Sequence, residues 1–168
     1  MGSTDKNKIG LICGLTVAAY LFVVWAMRKE LLFDFWVFNL MWLPYFYFVF
    51  LAVKNSYERN PEIDFRGMVK EGFVVYLIAQ FIYYTAYYFL FFELDPSLLD
   101  LQATIDLERI EQTRGILGEE RADEMIKGLG EEAGRMTPGD LLKQFIPSLL
   151  PGFIIAAIFA LIVKRPGE

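Results

Sequence analysis

Four long stretches of this chain carry almost no charge. Ile9 to Met27 is nineteen residues with none, and Leu31 to Val53 is twenty-three with Asp34 alone. Gly72 to Phe92 is twenty-one with none, and Phe145 to Val163 is nineteen with none. Charge brackets each stretch: Lys8, Arg28-Lys29-Glu30, Lys54, Lys70-Glu71, Glu93, Lys143 and Lys164-Arg165. A helix of about 20 apolar residues crosses the roughly 30 Å of bilayer hydrocarbon. Backbone groups left unpaired in lipid are prohibitively costly, so each stretch must be helical. The pattern predicts an all-α polytopic membrane protein, a four-transmembrane-helix bundle forming one membrane domain over residues 1–168. Its spans are 9–27, 31–53, 72–92 and 145–163, and an extramembrane helical hairpin, 93–144, lies between spans 3 and 4.

The first stretch invites a second reading, a cleaved signal peptide behind Lys6 and Lys8. It ends Val24-Trp25-Ala26, which is not a small-x-small cleavage site, so we read it as a retained span.

Between the spans, Asn60-Pro61-Glu62 has the residue types of a helix start, predicting a short interfacial helix into the third span. The segment 93–144 carries thirteen acidic and six basic residues and is too long to be structureless in a compact protein. Asp95-Pro96 reads as a helix start. Leu98, Leu101 and Ile105 share a face, Gly115 and Gly118 mark a break, and Glu119 to Lys127 makes a second helix. Asp123 with Lys127 and Glu131 with Arg135 have favourable i,i+4 spacing. Thr137-Pro138 opens a helix that runs on into the fourth span.

Lys and Arg near span ends set orientation. Lys6, Lys8, Lys54, Arg59, Arg66, Lys70, Lys164 and Arg165 stand on one side, against Arg28, Lys29, Arg135 and Lys143 on the other. Both termini are therefore expected in the cytoplasm and 93–144 outside. Trp25, Trp36, Tyr87 and Tyr88 then fall at the outer interface as an aromatic belt.

Composition removes several chemistries. The chain is 55% hydrophobic and has no histidine, which takes away imidazole acid–base catalysis and most zinc and haem sites. Its single cysteine, Cys13, excludes an intrachain disulfide. A net charge of −5 gives nucleic acid no overall attraction. No EF-hand spacing or serine-nucleophile motif occurs. No cofactor, no metal and no enzymatic activity are expected.

Within the spans two patterns stand out. Gly10, Gly14 and Ala18 recur at four-residue spacing in the first, and Gly152, Ala156 and Ala160 in the fourth. Small residues so placed let helices approach closely in lipid, so the two stripes are expected to meet each other, with dimerisation left open. The third span has ten aromatics in twenty-one residues, with Phe73, Tyr76, Gln80, Tyr83 and Tyr87 on one face and Ile78, Phe81, Ile82 and Phe89 opposite. A mid-membrane amide should face protein, so the Tyr/Gln face points inward and the Phe/Ile face meets lipid. Asn39, Gln80, Tyr76, Tyr83, Tyr87 and Asp34 form the candidate polar cluster. It is read first as interhelical hydrogen bonding and second as a binding or permeation site. Pro44, Pro147 and Pro151 are expected to kink their spans.

The order of these features resembles a known family. A Gly-x-x-x-Gly first span is followed by a second. Ile63-Asp64-Phe65-Arg66-Gly67 then feeds an aromatic third span, an acidic helical loop follows, and the last span ends Leu161-Ile162-Val163-Lys164-Arg165. This layout resembles the domain-of-unknown-function 4199 family of small bacterial inner-membrane proteins. The resemblance covers almost the whole chain and implies four spans in that membrane, with no assigned activity or catalytic residues. The expected function is that of a non-enzymatic accessory or assembly component acting through its acidic outer loop or by oligomerising. Its expected partners are the lipid bilayer and either another membrane protein or a second copy. The alternative is a small transporter or channel subunit using the polar cluster.

Overall fold

The computed structural model describes residues 3–132 and 138–164. Among them the order is α1 (Ser3–Met27), a 3-10 turn (Lys29–Phe33), α2 (Phe35–Leu40), α3 (Trp42–Arg59) and α4 (Phe65–Tyr88). A π-helical turn (Phe89–Leu94), α5 (Ser97–Leu117), α6 (Glu119–Glu132) and α7 (Pro138–Val163) complete it. No strand occurs among the described residues. Four helical segments are long and apolar enough to cross a membrane: Asp5–Met27, Phe35–Arg59, Phe65–Leu94 and Gly139–Val163. The expected pair of Glu131 with Arg135, the start at Thr137, and the charge of Arg165 lie outside the described residues.

The second of these segments begins later and ends later than the charge pattern suggested. Residues 29–33 turn in a 3-10 helix, and Asp34 caps α2 by accepting from the Trp36 and Val37 amides at 2.9 and 3.1 Å. The helix then breaks at Met41. Pro44 explains the break: it has no N–H for the Leu40 carbonyl, and its ring clashes there. The Met41 amide turns to Phe38 O at 3.3 Å, so the Val37 carbonyl loses its helical donor. The Tyr20 hydroxyl donates to it instead, at 2.8 Å. By contrast, α7 passes through Pro147 and Pro151 as one helix.

Asn60 does not start a helix. It caps the C-terminus of α3, its amide donating to Ser56 O at 3.1 Å, and the Ile63 amide closes a turn onto Asn60 O at 2.9 Å. The cap of α4 is Asp64, whose carboxylate accepts from the Gly67 amide at 2.8 Å. The anticipated interfacial helix is thus the first turn of α4 itself.

Helix α4 is the hub: α1, α3 and α7 all pack on it. The two small-residue stripes meet α4, not each other. A Cβ on Gly10 would lie 2.9 Å from Ile78 Cβ, and one on Gly14 would lie 2.6 Å from Ile82 Cδ1. On the other side, a Cβ on Gly152 would sit 2.0 Å from the Tyr76 ring. Ile78 and Ile82 therefore face α1 and not lipid, while Phe81 and Phe89 are exposed. Gly72 extends the same logic, with Val53, Val49 and Ala156 all within about 3.2 Å of its Cβ position. Cys13, Val17, Val49, Val75, Ala79 and Ala156 fill the shared core. Leu15, Phe81, Leu150 and Leu161 point outward, as a lipid-facing surface requires.

Beyond the π turn, α5 and α6 pack on each other about Gly118, whose φ of 86° is open to glycine. Gly115 lies within α5 and makes no break. Asp123 pairs with Arg114 across the turn at 2.8 Å rather than with Lys127, and the same guanidinium holds Glu111 at 2.8 Å.

Gly152→Ala should destabilise the protein by about 1–3 kcal/mol, because the ring of Tyr76 leaves no room for a methyl group. Thermal unfolding in detergent measures this, and the double variant with Tyr76→Ala should recover part of the loss.

Candidate functional site

Two polar arrangements and one cavity stand out, all built on α4. The first is at mid-helix. The Tyr76 hydroxyl donates to Ser148 O at 2.9 Å, and the Gln80 amide donates to Ser148 Oγ at 3.1 Å. That hydroxyl in turn donates to Phe145 O at 2.6 Å. Gln80 is buried, as an amide at this depth must be. The Tyr45 ring lies 5.1 Å from that of Tyr76, and its buried hydroxyl has no partner among the described residues. Ser148 and Tyr45 had no motif to single them out; only the register of α7 and α3 against α4 brings them in.

The structure separates the remaining cluster residues. Asn39 is exposed and its amide donates to Phe35 O at 2.7 Å, within α2. Asp34 is exposed and spends its carboxylate on the α2 cap. Neither is bonded to Gln80; both side chains are spent on the backbone of α2 itself. Tyr83 and Tyr87 continue the α4 face toward its C-terminal end, where Tyr87 stacks on Phe91 at 4.0 Å.

The second arrangement lies at that end. The backbone of the π turn closes with the Asp95 amide on Leu90 O at 2.9 Å. It leaves the Asp95 carboxylate buried among three donors, two of them from the end of α1 and the turn after it and the third two residues further along its own loop. Lys29 Nζ lies at 2.5 Å, Trp25 Nε1 donates at 2.9 Å and Ser97 Oγ donates at 2.6 Å. These hydrogen bonds, with Lys29 the strongest contributor, hold the carboxyl well below its ordinary range, at about 2. Leu21, Leu90, Phe91 and Leu98 pack beneath as a small second core. Further along α5, the Arg109 guanidinium donates to Phe33 O. The hairpin is thus tied to α1, to the 3-10 turn and to α4.

Between these ties lies a cavity of about 290 Å³. Leu21 and Val24 of α1, Phe35, Phe38 and Met41 around the helix break, and Tyr87 of α4 form its walls. Gln102, Asp106 and Arg109 of α5 stand at its polar rim. A few polar groups over a mostly apolar wall is the usual make-up of a site for a small amphipathic molecule. No group of three His, Cys, Asp or Glu placed to hold a metal occurs among the described residues.

The family described as "Protein of unknown function (DUF4199)" matches residues 8–165. No curated protein and no solved structure matches the chain.

Two expectations follow. Gln80→Leu and Ser148→Ala should each cost about 0.6–2 kcal/mol, and the double variant less than their sum, since they share one hydrogen bond. A double-mutant cycle of thermal unfolding in detergent reads this. The Asp95 carboxyl is depressed from its ordinary 3.8 to about 2. Its contribution is therefore fully present above about 4 and is lost as pH falls through about 2. Acid titration of Trp25 fluorescence should show that step, and Asp95→Asn should abolish it.

Proposed function

We propose, for a chain that belongs to the DUF4199 family, a non-enzymatic multi-pass membrane protein of accessory or assembly type. Four spans form a bundle in a bacterial inner membrane, and the hairpin of α5 and α6 stands outside it as the surface that meets a partner. The partner is another membrane protein or a second copy of this chain.

The joint at Asp95 carries this reading. Its carboxylate ties the start of the hairpin to Trp25 and Lys29, some seventy residues earlier, and each such bond must outweigh the entropy of ordering its groups. The tie holds the acidic helices in one pose against the bundle. Arg114 bridging Glu111 and Asp123 then fixes α6 on α5. Orientation draws on the opposite end of the bundle, where Lys6 pairs with Glu71 and Arg59 with Asp5, both at 2.6 Å. Lys54, Lys70 and Lys164 share that end, which we assign to the cytoplasm.

The alternative, a small transporter or channel subunit, would run through Tyr76 and Gln80. Their hydrogen bonds close on Ser148 and Phe145, which favours the role of interhelical glue. Only the unpartnered Tyr45 hydroxyl argues for a wetter interior.

Extraction in mild detergent should bring down one stoichiometric partner, or a dimer, that is lost when residues 97–132 are deleted. Monomeric protein without a partner, which moves a solute into liposomes, would replace this reading with the transporter.

A further inference from the structure

We propose that the cavity beside the helix break holds one acyl chain of a phospholipid, with the lipid phosphate at Arg109. The proposal rests on reading the chain as membrane-spanning. It names a ligand that this reading does not require.

Position argues for a lipid. The cavity lies beside the break at Met41, lined by Phe35, Val37, Phe38 and Met41 together with side chains of α1 and α4. The wall made by Phe35 and Phe38 is itself exposed on its outer side, at 68% and 48%. In a bilayer those rings touch acyl chains on one side and the cavity on the other. Trp36, exposed beside them, and Trp25, bonded to Asp95, place the rim at the interfacial level where such rings gather. A pocket opening at that depth is filled from the membrane, whose lipids are its most concentrated neighbours.

Chemistry argues for a phosphate head. Below the rim the wall side chains are apolar or aromatic, and the polar atoms they bring are the hydroxyls of Tyr20, Tyr83 and Tyr87. The Tyr20 hydroxyl among them is already committed to Val37 O. At the rim Arg109 donates to Phe33 O, and its Nη1 stands 3.5 Å from Asp106 Oδ1. The Phe33 bond uses Nη2 and the long Asp106 pair uses Nη1, but the side chain is half exposed, so its remaining N–H groups are open to a phosphate oxygen. Asp106 stands beside it and disfavours a second negative charge, so one phosphate is the fitting load. The volume, about 290 Å³, lies at the lower end of small-molecule sites and suits one chain rather than two.

The test is native mass spectrometry of the full chain from membranes, with exchange into vesicles of phosphatidylethanolamine alone or with added oleic acid. One phospholipid per chain is expected to survive mild detergent. Val37→Trp, which adds a bulky ring to the cavity wall and keeps Arg109, should empty it. Arg109→Ala should weaken retention about tenfold, the loss of one charge-assisted contact. Three results overturn the proposal: no lipid retained, oleic acid taken in place of phospholipid, or retention unchanged in Val37→Trp. Recovery of the chain from lysate without detergent would sink the membrane reading as well. A membrane-extracted chain with no lipid sinks this inference alone.

Discussion

Close approach to α4 is the constraint on which the rest depends. In hydrocarbon there is no hydrophobic force between helices, because lipid is as apolar as leucine. Packing must come from shape and from hydrogen bonds. Helix α4 offers bulk, and its neighbours offer absence. Ile78 and Ile82 enter the groove of Gly10 and Gly14, and the ring of Tyr76 lies on Gly152. With the backbone that near, the Tyr76 hydroxyl reaches a carbonyl of α7, and Gln80 finds Ser148. The polar contacts between α4 and α7 stand beside the close approach that Gly152 permits.

A different logic governs the end of α4 that carries Asp95. Pro44 removes a backbone bond, the helix breaks at Met41, the Val37 carbonyl is freed, and a cavity lies beside the break. What would be a defect in a core is bridged by Tyr20 from α1 and by Arg109 from α5, while the carboxylate of Asp95 ties the hairpin's start to the end of α1. The molecule is therefore close-packed and bonded at one level and open, aromatic and amphipathic at another.

Much of this was legible in the sequence. Charge-free runs mark four membrane-capable helices because lipid tolerates no other backbone. The pair Gly115 and Gly118 locates the hairpin turn to within a few residues. Faces were harder. Helical spacing puts Tyr76 and Gln80 on one side of α4, but the 3.6 period says nothing about which neighbour lies there. Small-residue stripes say only that something bulky comes close, and two stripes at matched depth suggested each other when both served α4. Asn39 looked like a mid-span amide because the charge pattern starts the span at Leu31, whereas the helix that can cross begins at Phe35 and leaves Asn39 near that end. The joint at Asp95 was invisible, since its donors lie up to seventy residues away and only the fold brings them together.

The cavity and the hairpin share their parts. Arg109 and Asp106 belong to α5, yet they form the rim, and Phe91 lines the cavity while packing on Leu98 in the small second core. A ligand that needs the rim binds only the docked hairpin, so by mass action it stabilises docking in proportion to its occupancy. Reciprocally, a partner that holds the hairpin down must raise affinity for whatever fills the cavity. Asp95 sits between the two and is the natural place for that coupling to be set. Its three donors come from the α1 end, the following turn and the start of α5, so no one of these segments moves without disturbing the others. On the proposed reading, a lipid in the cavity and a partner on the hairpin would both act through this joint.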